Sequence, residues 1–253
     1  MFASSTRTTL FGIFVLARRK LTAAQVIALA RPLGISATNV KSHLTRMVAE
    51  GALERTGPKR AARYGQSPSK AAVVEGIEAR LESDPVEPWD GEWILLALKM
   101  PAPRGERDRL RASLWFDGFR PWDGSTFVRP AWPKAWAKAR ARWYLARVPG
   151  LAVHGPLIGD VPISRLYDFD LLDREARKLA RRIRAKRTSS SSPARAFASR
   201  LEIGGLVARL VGHDPRLPKS LWGKRSGMRD LSRAFAGFEK RVTPAAQRFL
   251  DRV

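Results

Sequence analysis

The segment Ser36-Ala-Thr-Asn-Val-Lys-Ser-His-Leu-Thr-Arg-Met-Val-Ala-Glu50 decides how the rest of the chain is read. Ser36 has the side chain to cap a helix, and Val40, Leu44, Met47 and Val48 recur at the spacing that makes one buried stripe. Thr38, Lys41, Ser42 and Thr45 fall on the opposite face. Short polar and cationic side chains suit a helix lying in a DNA major groove, where they reach base edges and phosphates without bulk. Asn39 is a further groove candidate, with service to its own helix's first turn as the alternative. Arg46 flanks this face, so a phosphate contact is its expected role. Ser36, at the helix start, completes the set on this helix. His43 faces neither stripe cleanly and reads as a packing contact, since one near-neutral histidine alone specifies no pH sensor.

Working outward, Arg31-Pro-Leu-Gly34 reads as the stop of a preceding helix, with Gly34 accepting a left-handed backbone and Ile35 anchoring the turn. That helix opens at Leu21-Thr22, with Thr22 as its cap and Val26, Ile27, Leu29 and Ala30 buried. Thr9 to Leu16 reads as a first, largely buried helix, although its β-branched and aromatic content also allows a strand. Downstream of Gly51, two short extended runs, 52–56 and 61–64, flank Gly57-Pro-Lys-Arg60, the pattern of a β-hairpin wing. Its tip offers Lys59, Arg60 and Arg63 to a phosphate backbone. Helix, helix, turn, recognition helix and basic hairpin make a winged helix-turn-helix. The bland alternative is a small helical interaction domain with a solvated basic face.

Composition agrees with a polyanionic partner. Forty-seven Lys and Arg against 23 Asp and Glu leave a formal charge of +24, which points first to nucleic acid and second to a membrane surface. The apolar run from Leu10 to Ala17 is too short to span a bilayer, and Arg18-Arg-Lys20 is the wrong flank for a signal-peptidase site. A cytoplasmic, nucleoid-associated protein without a membrane partner is the expectation. With no cysteine among 253 residues, disulfides, thiolate metal sites and cysteine nucleophiles are excluded. Only His43, His154 and His213 are present and they lie far apart, so no metal site is expected, and no cofactor either.

Further along, Ser69 to Leu81 reads as a linking helix and Asp84-Pro-Val-Glu-Pro88 as a boundary. Ile94-Leu-Leu-Ala-Leu-Lys-Met100 has the length of a central strand buried on both faces. A helix follows over 104–115, with Leu110, Leu114 and Trp115 inward. Strands at 119–122 and 125–128 flank Asp123-Gly124, a hairpin dipeptide. A helix over 133–148 and a strand over 151–158 complete a ferredoxin-like β-α-β-β-α-β order.

These residues also carry a resemblance. Trp89-Asp-Gly-Glu-Trp93, Arg107-Asp-Arg-Leu-Arg111, Gly118-Phe119 and Phe127-Val-Arg-Pro130 resemble the central domain of the PaaX family, bacterial repressors named for phenylacetate degradation. Thr9-Leu-Phe-Gly12 and Pro32-Leu-Gly-Ile-Ser36 resemble the family's winged helix. Asp214-Pro-Arg-Leu-Pro218 with Leu221-Trp222 is similar to its C-terminal signature. The resemblance implies a dimeric three-domain repressor that answers to an aryl-CoA thioester. Two departures, Trp222-Gly223-Lys224 in place of Trp-Pro-Gly and the run Ser189-Ser-Ser-Ser192, bear on the effector rather than on DNA.

The family's central domain also resembles a ferredoxin-like nuclease of CRISPR adaptation, which raises a metal-dependent nuclease as an alternative. Such a site needs a carboxylate after the first strand, and Lys99-Met100-Pro101 stands there. Asp90, Asp108, Asp117 and Asp123 are explained by turns and helix surface.

In the last third, 167–187 reads as a helix with Arg174, Arg177, Lys178, Arg181, Arg182 and Arg184 on its surface: a solvated face, a second DNA contact or a CoA phosphate subsite. Ser192-Pro193 restarts a helix, weakened by Gly204-Gly205, and terminal helices follow from Met228, one starting at Thr243-Pro244. Trp132, Trp136 and Trp143 read as core or interface.

The sequence therefore predicts an α+β chain: a winged helix-turn-helix over 1–68, a linking helix over 69–88, a ferredoxin-like domain over 89–166 and a helical dimerisation or effector domain over 167–253. It predicts a non-enzymatic homodimeric repressor of double-stranded DNA, released by an acyl-CoA or aryl-CoA effector. An architectural DNA binder without an effector is the remaining alternative.

Overall fold

A computed structural model describes residues 5–82, 88–159, 161, 163–186, 192–223 and 225–253, without the side chains of Lys59, Glu82 and Lys219. The expected boundary at 84–87, the serines at 189–191 and Lys224 lie outside the described residues.

In chain order the elements are α1 (Thr6–Ala17), β1 (Leu21–Thr22), α2 (Ala23–Ala30), α3 (Ala37–Ala49), β2 (Leu53–Thr56), β3 (Arg63–Gln66) and α4 (Pro68–Glu82). Next come β4 (Glu92–Leu98), α5 (Arg104–Phe116), β5 (Arg120–Pro121), β6 (Thr126–Pro130), α6 (Lys134–Leu145) and β7 (Gly150–Pro156). Helices α7 (Ile163–Leu166), α8 (Phe169–Ala185), α9 (Pro193–His213), α10 (Lys219–Trp222) and α11 (Gly227–Asp251) follow. With two antiparallel sheets and these helices the chain is α+β. No helix among the described residues is long and apolar enough to cross a membrane.

Chain contacts form two compact units. The first comprises Met1–Glu82, Ala176–Val211 and Arg229–Val253. Its core joins Leu10, Ile13 and Phe14 of α1, Val26 and Leu29 of α2, and Val40, Leu44 and Met47 of α3 to Phe197, Leu201, Ala246 and Leu250 of α9 and α11. The grouping thus cuts across chain order: much of 167–253 shares a core with the N-terminal helices. Helical periodicity reveals that a stripe is buried but not against what, so this long-range pairing is invisible to it.

Local chemistry sets the element ends. Ser5 accepts from the Thr8 amide at 3.2 Å to start α1, and Arg18 closes it in the left-handed region at φ 49°. Thr22 and Gln25 form a reciprocal capping box at the start of α2. Leu21-Thr22, expected only to open that helix, also pairs as a strand, Leu21 with Tyr64 and Thr22 with Arg63. The resulting sheet has the order β1-β3-β2. Two residues are too few to show the alternation by which a strand is recognised.

Helix α11 corrects another expectation. Thr243-Pro244 does not start a helix; Pro244 lies inside one. Leu231, Ala234, Phe238, Val242, Ala245 and Leu250 are all buried and stay in helical phase across it. Burying that stripe offsets the backbone hydrogen bond that proline cannot make.

The second unit comprises Ser83–Glu175 and Gly212–Met228. Its antiparallel sheet has the order β5-β6-β4-β7, with elements in the sequence β-α-β-β-α-β. Ile94, Leu96 and Leu98 of β4 pack with Leu114, Phe127, Ala137, Ala141 and Tyr144. Strand β4 is not buried on both faces throughout, because Leu95 and Ala97 are only half-buried. Trp115, expected inward, is 44% exposed and lies under the Arg120 guanidinium, 3.7 Å from the ring centroid. Gly118, at φ 79°, sits so close to the Pro215 carbonyl that an added Cβ would lie 2.6 Å from its oxygen. That contact seats the Asp214–Pro218 segment, where Leu217 packs with Tyr167 and Phe169.

Asp117 also departs from its expected surface role. Its side chain is buried (3% exposed) and ion-paired with Arg140, and Tyr144 donates its hydroxyl proton to Oδ2 at 2.7 Å. Nothing in the local sequence distinguishes it from Asp123, which does serve a turn by accepting from the amides of Ser125 and Thr126. Asp90 and Asp108 pair at the surface with Lys134 and Arg104.

Candidate nucleic-acid interface

Helix α3 is built between two fixed ends. Gly34, left-handed at φ 72°, turns the chain out of the preceding single helical turn, and the Ile35 amide reaches back to the Ala30 carbonyl at 3.4 Å. Ser36, extended at φ −68° and ψ 153°, then caps α3 by accepting from the Asn39 amide at 3.3 Å. Val40, Leu44 and Met47 are 0–1% exposed and Val48 is half-buried. One face of the helix is therefore fixed in the core.

The other face is open. Ser36, Thr38, Asn39, Lys41, Ser42, Thr45 and Arg46 are all exposed. Thr38, Lys41, Ser42 and Thr45 follow one another at steps of three, one and three, so they share one surface. Their hydrogen-bonding capacity differs. Thr45 donates its hydroxyl to the Lys41 carbonyl at 3.2 Å, which leaves its oxygen as an acceptor and its methyl free to meet a thymine methyl. Arg46 lies along Ser42, with its guanidinium 3.5 Å from the hydroxyl. His43 is half-buried.

The hairpin places three more of the candidates. Strands β2 and β3 pair from Leu53 with Gln66 to Thr56 with Arg63. Gly57 turns the chain at φ 83°, where an added Cβ would come within 3.1 Å of the Ala61 carbonyl oxygen, so the turn calls for glycine. A single helical turn, Lys59–Ala61, carries Arg60, and Arg63 opens β3. Both arginines are exposed, whereas the Lys59 side chain is outside the described residues. Arg55 on β2 is exposed too. Sequence reading passed over it, and period-2 alternation gives no signal for it, since Arg55 falls two residues after buried Leu53.

Ion pairing leaves these cations available. Residues 1–68 contain two carboxylates, Glu50 and Glu54. Glu50 is held by Arg7 at 2.5 Å and Glu54 by Lys20 at 2.8 Å. Among the described residues no carboxylate pairs with Lys41, Arg46, Arg55, Arg60 or Arg63. The arrangement is a helix face of short polar groups beside a hairpin of unneutralised arginines, which fits groove and phosphate contacts respectively.

The second unit brings its aromatic residues against arginines. Trp132 is buried, while Trp136 and Trp143 are 39% and 38% exposed. Arg129 lies 4.5 Å from the Trp136 ring centroid, and Arg147 lies 3.9 Å from that of Trp143. Burial pushes the Arg120 guanidinium down to about 10. Lys99 follows β4, and among the described residues no three His, Cys, Asp or Glu are grouped to hold a metal ion.

Comparison with known proteins places the chain. No curated protein sequence matches it. A solved structure of the uncharacterized protein Rv0674 from Mycobacterium tuberculosis is similar, with 20% identity, a TM-score of 0.56, and coverage of 97% of this chain and 98% of that one. That likeness is one of fold. The family described as PaaX-like protein matches residues 2–68, and the PaaX-like protein C-terminal domain matches residues 167–252. These matches lie at opposite ends of the chain and together span more than half of it, and the chain thus belongs to the PaaX-like family of transcriptional regulators.

Proposed function

We propose that residues 1–68 act as a winged helix-turn-helix and that the chain is a sequence-specific repressor of transcription. In this reading Thr38, Asn39, Lys41, Ser42 and Thr45 meet base edges, while Ser36, at the helix N-terminus, and Arg46 meet the flanking backbone. Lys59, Arg60 and Arg63 hold phosphates on the wing side. The observation that carries the reading is the division of α3 into a face buried to 0–1% at Val40, Leu44 and Met47 and an exposed face bearing Thr38, Lys41, Ser42 and Thr45, beside exposed Arg60 and Arg63.

The second unit is read as a ferredoxin-like domain, on the strength of its β5-β6-β4-β7 order. It serves regulation rather than hydrolysis in this account, because lysine follows its first strand. A homodimer would present two α3 helices to half-sites one helical turn apart, about 34 Å. Release by a small acidic effector of the acyl-CoA or aryl-CoA class completes the proposal.

The test is selection of bound duplexes from a random pool by the full-length chain, followed by competition at physiological salt. The proposal expects a partly palindromic motif bound at least about a thousandfold more tightly than random sequence. Equal affinity for all sequences would replace the repressor with an architectural binder.

A further inference from the structure

We infer that helix α8 is a second, sequence-independent contact with the DNA backbone. The distribution of charge raises the question. Residues 1–68 hold 11 Lys and Arg against 2 Asp and Glu, residues 69–166 hold 15 against 12, and residues 167–253 hold 21 against 9. Half of the net charge of +24 therefore lies in the last third of the sequence, outside the helix and hairpin assigned to DNA above.

Within that third, α8 is the most strongly divided helix. Leu172, Ala176, Ala180 and Ile183 are buried, whereas Arg174, Lys178 and Arg181, spaced four and three apart, form an exposed stripe. Neighbouring arginines are neutralised: Arg182 pairs with Glu202 and Arg184 with Asp230. Those pairs dock α8 on α9 and α11. Lys178 and Arg181 have no carboxylate partner among the described residues, so their charge faces solvent without compensation.

Residues 176–211 and 229–253 belong to the same compact unit as α3. Phe197 and Leu201 of α9 and Leu250 of α11 pack in the core that also holds Val40 and Leu44. Lys178 and Arg181 are thus carried by the same compact unit as α3. An exposed lysine and arginine one turn apart supply point charges to phosphates and make no base-specific pattern.

The inference rests on the DNA-binding reading, and its test separates the two. Affinity of full-length wild type and K178Q/R181Q for a long random-sequence duplex is measured by fluorescence anisotropy between roughly 50 and 200 mM salt. The double variant should bind more weakly at every salt and lower the slope of log affinity against log salt by nearly two, about 0.9 for each lost phosphate contact. Its preferred sequence in selection should not change. Wild-type binding with an unaltered slope in K178Q/R181Q would overturn the α8 contact alone. Loss in the variant of binding to phosphatidylserine vesicles, with DNA affinity intact, would overturn it in favour of a membrane surface. A wild type that binds no duplex would overturn the regulator reading as well.

Discussion

Gln25 and Val253 are joined by a 2.7 Å hydrogen bond from the Gln25 side-chain amide to the Val253 main-chain oxygen. The same glutamine accepts from the Thr22 amide at 3.0 Å through Oε1. One side chain therefore caps α2 and ties down the segment after α11. Gln25→Ala removes both, and the expected loss is about 1 kcal/mol or slightly more. Leu250→Ala, at a residue 2% exposed in the core shared with α3, should cost about 2–5 kcal/mol. Urea denaturation checks both. A Leu250→Ala protein of unchanged stability would contradict a shared core.

Asp117 supports the second unit from inside. Its carboxylate is buried, while Arg140 is 27% exposed. Removing it by Asp117→Ala leaves a largely covered guanidinium without its carboxylate and the Tyr144 hydroxyl with Ser113 alone, an expected cost of about 3 kcal/mol. Asp117→Asn retains an acceptor and should cost less. Tyr144 is itself pushed up from the usual phenol value, first by burial and then by the Asp117 charge, so it stays a donor at all ordinary pH. The measurement is the thermal midpoint of each variant.

Acid sensitivity follows from the paired surface carboxylates. The Arg184 guanidinium holds Asp230 below the usual carboxylate range, chiefly by hydrogen bonding, and Arg225 does the same for Asp170. Because both are depressed in the folded state, their contribution is complete above the unfolded value of about 4 and is lost as pH falls through and below it. Stability against urea should be level near neutrality and decline below about pH 4. Asp230→Asn should lower the neutral plateau slightly and flatten that decline.

The hairpin arginines make a different kind of prediction from the helix. Arg60→Ala and Arg63→Ala should each weaken binding to every duplex alike and lower the salt slope by about one unit. Their selected motif should match that of wild type. A changed motif in Arg60→Ala would mean that the hairpin reads bases.

How much of this was legible in the sequence depended on the range of the forces involved. The spacing of Val40, Leu44 and Met47, the Ser36 cap and the Gly34 turn are local, and each stands where the sequence places it. The β-α-β-β-α-β order of elements from residue 92 to residue 156 was likewise readable from run lengths and turn residues. Contacts made across the chain were not. Leu21-Thr22 becomes a strand only because Tyr64 and Arg63 lie beside it. Trp115 stays outside because Arg120 covers its ring. Pro244 sits within a helix because residues on both sides of it share a buried stripe. Asp117 looks like any turn aspartate until Arg140 and Tyr144 arrive from another helix. At the candidate site the exposed face of α3 was legible, but the unneutralised state of Lys41, Arg55, Arg60 and Arg63 was not, since it depends on Arg7 and Lys20 engaging Glu50 and Glu54.

The central claim is that α3 reads bases through its exposed polar face, and Lys41 is the residue on which it turns. The direct measurement is selection of duplexes from a random pool by wild type and by Lys41→Ala, with relative affinities for the resulting motif and its single-base variants. The account predicts that Lys41→Ala loses preference at one position of each half-site, by about 1–3 kcal/mol for a bidentate contact, while its salt slope falls by one unit or less. A Lys41→Ala protein that selects the wild-type motif with undiminished discrimination would contradict it.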